Sequence, residues 1–147
     1  MSKFKILVVS LLLVSVVFFA FYMVEESSAK SLDEILIEKD DFDKINSMTV
    51  FNHEKMINSE FHEENQDLIK FEEILKKAEL KRDWNLSDSS INYTIGVNAS
   101  FGVNFLILIS KDGIVKIDNE DKEYKFTNNE LFNELLTIIQ KTPEQNF

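Results

Sequence analysis

The sequence predicts an α+β protein, with an N-terminal transmembrane or signal helix and then a two-layer domain in which two helices pack on an antiparallel meander sheet. Three observations predict this fold. The chain has an uncharged apolar run from Ile6 to Val24. Alternating apolar and polar residues, which are typical of half-buried strands, recur between Ile91 and Phe126. Two further segments carry apolar residues at every third or fourth position, the spacing of one helix face.

The apolar run reads ILVVSLLLVSVVFFAFYMV. As a helix it is about 28 Å long, close to the thickness of the hydrocarbon core of a bilayer. Lys3 and Lys5 precede it and a pair of glutamates follows it, so the positive-inside rule predicts an N-terminus inside and an exported C-terminal part. The predicted organisation is a basic cytoplasmic flank at 1–5, an anchor or signal segment at 6–24, a flexible polar tether at 25–31 and an extracytoplasmic domain at 32–147.

A cleaved signal peptide is the alternative for this segment. The apolar run of this chain is longer than the apolar region of a signal peptide, which has about 7 to 15 residues, and this favours an uncleaved anchor. The small residues of Ser27-Ser28-Ala29 nevertheless fit the recognition site of a signal peptidase, with cleavage before Lys30. Cleavage near Ala29 would produce a small secreted protein.

The first half of the domain is predicted to contain two strands and a helix. Leu32–Ile37 is expected to be a strand because its alternation puts Ile35 and Ile37 on one side, and Ile45–Phe51 because it holds β-branched and aromatic residues. His53–Asn65 fits either another strand or a surface excursion. The helix is expected at Asn65–Arg82, with Asn65 as its N-cap and one apolar face formed by Leu68, Phe71, Leu75 and Ala78.

The second half is predicted to be a meander and a closing helix. Val103–Ser110 is expected to be a central strand that is covered on more than one face, because its second half is apolar on both sides. Asp112-Gly113 predicts a tight hairpin. Thr127 and Glu130 fit a capping box that starts a helix from about Asn128 to Gln140. The remaining strands are expected at Ile91–Val97, Ile114–Asp118 and Glu123–Phe126.

The charge of the exported part is strongly negative. Lys3 and Lys5 lie ahead of the apolar run, and every acidic residue follows it. The part of the chain after the run therefore contains 14 of the 16 basic residues and all 26 acidic residues, a net charge of −12. Such a surface repels nucleic acid, which is excluded as a partner, and anionic lipid headgroups, so the domain is expected to stand off the bilayer. The expected partners are the membrane through residues 6–24 and a basic protein or peptide.

Motifs for catalysis and cofactor binding are absent from the sequence. It contains no Gly-x-Ser-x-Gly and no glycine-rich phosphate loop, and it has no cysteine for a disulfide or a lipobox. His53 and His62 lack zinc-motif spacing, and the acidic stretches at 40–43 and 118–121 lack calcium-loop spacing. We therefore expect no enzyme, no catalytic or metal-binding residue and no cofactor. Trp84 is expected to pack on the core as a lid, with a binding hot spot as the alternative.

A pattern of structural residues runs from the first helix of the domain to its end. It consists of a helix, a strand that opens on a tyrosine, a long apolar strand, a Tyr-x-apolar strand and a closing helix: Ile74–Leu80, Tyr93-Thr94-Ile95, Phe105–Ile109, Tyr124-Lys125-Phe126 and Leu131–Ile139. The pattern covers about half of the chain and resembles the small YhfM-like domain of envelope proteins in Bacillus and related bacteria. That family usually has Pro-Asp before the first tyrosine and is often lipid-anchored, whereas this chain has Ile91-Asn92 and no cysteine. The resemblance implies the same layout and an exported location, and it transfers no site.

These observations favour a non-enzymatic, membrane-anchored binding or interaction module on the outer face of a bacterial cytoplasmic membrane. The first alternative is an immunity or inhibitor protein that neutralises a cationic peptide or a secreted enzyme, which the net charge of −12 favours. The second is a cleaved, secreted small protein. The third is a metal-assisted hydrolase that uses His53 and His62.

Overall fold

The computed structural model describes residues 3–39, 42–84, 90–118 and 121–141. Helix α1 runs from Lys3 to Ser27, and its span Lys5–Glu25 has a mean hydropathy of 2.8 and is not buried against the rest of the protein. The hydroxyls of Ser10 and Ser15 each donate to a carbonyl of the same helix at 2.9 Å, so neither is left unsatisfied in an apolar environment. Among the described residues, α1 is the one helix long and apolar enough to cross a membrane, which suits a signal sequence or a single anchor.

Eight strands of the described chain form one antiparallel sheet. They are β1 (Lys30–Ser31), β2 (Ile45–Asn52), β3 (Ile57–His62), β4 (Glu79–Asp83), β5 (Tyr93–Ala99), β6 (Asn104–Ile109), β7 (Ile114–Ile117) and β8 (Glu123–Phe126). Their order across the sheet is β1-β4-β8-β7-β6-β5-β2-β3, so β1 and β3 lie at the two edges. Strands β5 to β8 are successive neighbours, which confirms the predicted meander.

Three helices pack on one face of the sheet: α2 (Leu32–Lys39), α3 (Gln66–Lys77) and α4 (Asn129–Ile139). Every second residue of the central strands points toward them and is buried, for example Met48, Ile95, Ile107 and Val115. Each such aliphatic side chain contributes about 1.5–3 kcal/mol by leaving water. The predicted two-layer α+β fold is therefore confirmed, with three helices in the domain rather than two.

The prediction of a strand at Leu32–Ile37 is wrong, because this segment forms α2. A capping box starts the helix: Ser31 Oγ accepts the Glu34 N–H at 3.1 Å, and Ser31 N–H donates to the Glu34 carboxylate at 2.8 Å. Leu32, Ile35 and Leu36 are then buried together on one helical face, while Ile37 is exposed. An alternating pattern over six residues fits both a strand and a helix, and the capping box favours the helix here.

The predicted helix Asn65–Arg82 is too long. Asn65 is its N-cap, as expected, and accepts the Asp67 N–H at 2.8 Å, but α3 ends at Lys77. Ala78 is extended, and the next five residues form β4 between β1 and β8. Pairing with two strands satisfies backbone groups of a segment whose local composition suits a helix, so tertiary contacts override propensity here.

Two details of the meander and one of the last helix also differ from expectation. The prediction that β6 is covered on both faces is wrong, because Phe105, Ile107 and Ile109 are buried and Leu106 is 42% exposed. In the β6–β7 hairpin, Gly113 alone of the predicted Asp-Gly pair has a positive φ, of 83°. Asn128 caps α4 in place of the predicted Thr127 by accepting the N–H groups of residues 130 and 131, while the Thr127 hydroxyl donates to the Glu79 carbonyl at 3.1 Å.

The predicted tether at 25–31 is mostly structured. Residues 25–27 complete α1, and Lys30 and Ser31 pair with β4 as strand β1. The side chain of Lys30 also forms an ion pair with Glu38 of α2 at 2.7 Å. Only Ser28 and Ala29 therefore separate α1 from the sheet.

Alanine substitutions in α2 distinguish the helix from a strand. In the helix Ile35 is buried and Ile37 is exposed, whereas in a strand both would lie on one side. We expect Ile35→Ala to lower the free energy of unfolding by about 2–4 kcal/mol, because it leaves a cavity, and the control Ile37→Ala by less than about 1 kcal/mol. Denaturant unfolding of the full chain in detergent micelles measures both. Equal losses for the two variants would contradict the helix.

Candidate binding surface

The face of the sheet away from the helices carries a shallow cleft of about 560 Å³ over β3, β2, β5 and β6. Its central row begins with Glu60 on β3, which pairs with Thr49 on β2. Thr49 pairs in turn with Gly96 on β5, and Gly96 pairs with Leu106 on β6. The row ends at Asp118, whose carboxylate accepts the Leu106 N–H at 2.7 Å.

A second row lies nearer the turn that joins β5 and β6. Ser47 pairs with Asn98, and Asn98 pairs with Asn104. His62 pairs with Ser47 at the edge strand and so stands at the rim, 3.7 Å from the Glu60 carboxylate. The cleft is therefore lined by hydroxyl, amide and carboxylate groups and by a similar amount of apolar surface, which suits a hydrogen-bonding partner that also has apolar surface.

The floor of the cleft is at Gly96. The neighbouring strands place Thr49 and Leu106 on either side of it, and Gly96 has no side chain to fill the space between them. A Cβ atom there would meet the Thr49 carbonyl oxygen at 3.9 Å and the Leu106 side chain at 4.0 Å, which are ordinary contacts. The backbone at Gly96 is not in the left-handed region. Gly96 therefore shapes the surface, and neither packing nor conformation requires glycine at this position.

The charge of the cleft is negative. Its lining includes the carboxylates of Glu60 and Asp118, and the other described residues that line it are uncharged. Both lie on the exposed side of the sheet in a part of the chain whose net charge is −12. Carboxylates attract cationic groups, so the cleft favours a basic ligand.

A second depression lies between α3 and α4. It has a volume of about 380 Å³ and an apolar floor formed by Ile74, Leu131 and Ile138. Its rim holds three acidic and three basic side chains, and these already pair in part, as in Lys141 with Asp67 at 2.5 Å and Lys77 with Glu73 at 3.3 Å. This balanced rim gives the groove no preference for the sign of a ligand charge. The sheet cleft is therefore the better candidate for the acidic recognition that the sequence predicts.

The two histidines do not form one site. His53 follows β2 at one end of the β2–β3 hairpin, and its Nε2 lies 2.8 Å from the Thr94 hydroxyl. His62 ends β3 at the other end of that hairpin. It lies five residues along β3 from Ile57, the residue that pairs with Asn52. This spacing corresponds to about 17 Å. Among the described residues, no group of three or more His, Asp or Glu side chains is arranged to hold a metal ion.

Trp84 does not pack on the core as a lid. Its side chain is 49% exposed, and the guanidinium of Arg82 stacks over its ring at 3.9 Å. Of the acidic stretches, Asp43, Asp118 and Asp121 are described: Asp43 lies just before β2, and Asp118 and Asp121 lie between β7 and β8. Residues 40, 41, 119 and 120, and the predicted loop residues 85–89, lie outside the described ranges.

Sequence reasoning missed the residues that line the cleft. Thr49, Gly96, Asn98 and Asn104 are the polar members of alternating strands, and that alternation assigns them to a solvent-facing side. Their place in one cleft depends on the register between β2 and β5, which are separated by α3 and β4 in the chain. A glycine within an otherwise regular strand pattern was the signal that could have found the position.

Comparisons of the chain with models of protein families, with curated proteins and with solved structures found no match. The resemblance to the YhfM-like domain therefore stays a prediction. What the surface can bind has to be inferred from its own residues.

Substitution of Gly96 tests its role in shaping the cleft. We expect Gly96→Ala to leave the free energy of unfolding unchanged or to raise it by about 0.4–1 kcal/mol, because alanine fits and the unfolded chain loses freedom. Gly113→Ala is the matched contrast, since Gly113 has a φ of +83°, and it should lower the free energy of unfolding by about 1 kcal/mol or more. Thermal unfolding of both variants measures the difference. A loss at Gly96 as large as that at Gly113 would show that Gly96 is needed for the fold itself.

Proposed function

We propose that the protein is a non-enzymatic binding module, anchored by α1 in a bacterial cytoplasmic membrane with its domain outside, and that the sheet cleft binds an extended basic segment of a partner protein or peptide. The observation that carries the proposal is the central row of the cleft. It has a carboxylate at each end and neutral polar or apolar groups between them.

The flanking charges of α1 support the orientation. Lys3 and Lys5 precede the apolar run Ile6–Val24 and Glu25 follows it, so the domain is expected on the side away from the cytoplasm. The long apolar helix supports retention of the anchor over cleavage. The secreted alternative keeps a physical basis, because Ala29 lies exposed in the two-residue link and a cut before Lys30 would leave β1 intact.

The dimensions of the row set the kind of ligand. Glu60 and Asp118 belong to a row that crosses four strand spacings, about 19 Å. That distance is too long for one metal ion or one lysine. It matches about six residues of an extended chain with a basic side chain near each end. The polar side chains between the two carboxylates then face the backbone of that segment.

The inhibitor alternative rests on the same surface. An acidic cleft of this length would also receive a cationic peptide that acts on the cell envelope, and binding would then protect the cell. Protection of cells by the full chain, lost when the cleft carboxylates are neutralised, would favour this role over a permanent partner. The hydrolase alternative loses its basis, because His53 and His62 lie at opposite ends of one hairpin.

Binding of two designed peptides to the full chain in micelles tests the proposal. We expect tighter binding of a hexapeptide with lysines at both ends than of a peptide of the same composition with adjacent lysines, because only the first reaches both carboxylates. Neutralising both with Glu60→Gln and Asp118→Asn should weaken binding about tenfold, since each exposed ion pair is worth up to about 1 kcal/mol. Asn at 118 retains an oxygen for the Leu106 N–H and tolerates the positive φ of 50° found there.

The matched control is Glu134→Gln on α4, which removes one carboxylate from the groove between the helices. Fluorescence anisotropy of the labelled peptides at low and high salt measures the affinities, and binding should weaken as salt increases. Equal affinity for both peptides, or an equal loss from the control variant, would contradict a site in the sheet cleft.

A further inference from the structure

We propose that the domain lies against the membrane surface through a rim of aromatic and basic side chains beside the end of α1, and that this rim contacts anionic lipid headgroups. The rim consists of Tyr22 on α1, Arg82 and Trp84 at the end of β4, and Lys122 and Tyr124 at β8. This inference rests on α1 crossing the membrane, which is part of the proposed function. It adds the orientation of the domain and a second binding surface.

The short link fixes the height of the rim. The span Lys5–Glu25 has 21 residues, which as a helix is about 32 Å and fills the hydrocarbon core. Glu26 and Ser27 complete α1 and add about 3 Å, and Ser28 and Ala29 add at most about 7 Å before β1 begins at Lys30. The headgroup layer on each side of a bilayer is about 5–7 Å thick. Strand β1 therefore starts within about 10 Å of the hydrocarbon core, at or just beyond the outer limit of the headgroups.

Side-chain positions bring the domain closer still. Tyr22 and Glu25 of α1 line a cavity of about 230 Å³ together with Leu80, Lys122 and Tyr124 of the domain. Tyr22 lies one turn before the end of the apolar span, at the depth where tyrosine and tryptophan concentrate in membrane proteins. Lys122 and Tyr124 share a cavity with this residue, so they lie at or near the interfacial layer.

The chemistry of the rim suits that layer. Trp84 is 49% exposed, and its ring is covered on one side by the Arg82 guanidinium at 3.9 Å. Registry of β4 with β8 puts Arg82 opposite Tyr124. A tryptophan, a tyrosine and flanking cations combine apolar rings with groups that bind phosphate, which is the composition of membrane-interface belts.

The acidic groups at the junction are partly neutralised. Glu38 accepts a hydrogen bond from Lys30 at 2.7 Å. This bond, with the further attraction of Glu38, Glu25 and Tyr124, raises the pKa of Lys30 above its ordinary value of 10.5, against the opposing effect of burial. Of the carboxylates in the sheet cleft, Glu60 lies on the opposite edge strand, β3, and Asp118 lies at the end of β7. The ion pair of Lys30 with Glu38 therefore reduces the expected repulsion between lipid headgroups and the sheet edge next to α1.

Trp84 is the only tryptophan of the chain, which makes its fluorescence a direct probe of the rim. The experiment uses the full chain in lipid nanodiscs that contain or lack an anionic phospholipid. In anionic discs we expect quenching of Trp84 by headgroup-labelled lipid, a blue shift of its emission and protection from aqueous iodide. Quenching by iodide equal to that in detergent, with none by labelled lipid, would overturn the proposal.

A charge variant and its matched control test the contribution of the basic groups. Lys122→Gln should lower the ratio of docked to undocked domain about fivefold in anionic discs, because one lysine near such a surface is worth about that factor. Lys55→Gln removes the same charge from the β2–β3 turn, far from α1, and should leave the lipid quenching unchanged. Equal effects of the two variants, or equal quenching in neutral discs, would contradict headgroup recognition.

This test separates failure of the inference from failure of the proposed function. If α1 does not insert, the protein does not co-purify with the discs, and both proposals fall. If it inserts and Trp84 stays accessible to iodide, only the rim proposal falls.

Discussion

The covalent link between α1 and the sheet constrains the whole molecule. A long apolar helix that makes almost no buried contact with the domain needs another apolar environment, and a bilayer supplies one. Because β1 pairs with β4 from Lys30 onward, two residues alone connect this helix to a folded domain. If α1 is retained as a membrane anchor, this link would hold the domain with one sheet edge toward the membrane and the other edge, β3, away from it. A flexible tether would have allowed every orientation.

The sheet then divides the domain into surfaces with different chemistry. Helices cover one face and bury its apolar side chains, while the described part of the chain leaves the other face uncovered over β3, β2, β5 and β6. Lys116 and Glu123 pair across β7 and β8 on this second face at 2.5 Å, with Glu123 only 2% exposed. The cleft holds the carboxylates of Glu60 and Asp118. The two proposals therefore assign different partners to different surfaces: lipid phosphates to the edge next to α1 and a basic segment to the cleft.

The sequence predicts the meander and both later helices because their signals are local. Strict alternation at Tyr93–Val97 and the apolar stripe through Leu131, Leu135 and Ile138 need no distant partner to be recognised. Strand β4 could not be predicted, because Leu80 becomes extended by pairing with Phe126 at the far end of the meander. The cleft could not be predicted for the same reason, since its rows depend on the register between strands distant in the chain. The link was missed because polar residues near a helix end resemble a tether, and the pairing of Lys30 with Leu80 is again long-range.

Accessibility of one residue in living cells tests the topology on which these surfaces depend. The chain has no cysteine, so Lys55→Cys in the β2–β3 turn introduces a single thiol far from α1. Intact bacteria that express the full chain would be treated with a membrane-impermeant maleimide and then fractionated. A membrane-anchored, exported domain predicts labelling before lysis of a protein that sediments with the membranes. Labelling only after lysis would place the domain in the cytoplasm, and a labelled protein in the medium would show that α1 is removed; either result would contradict the account.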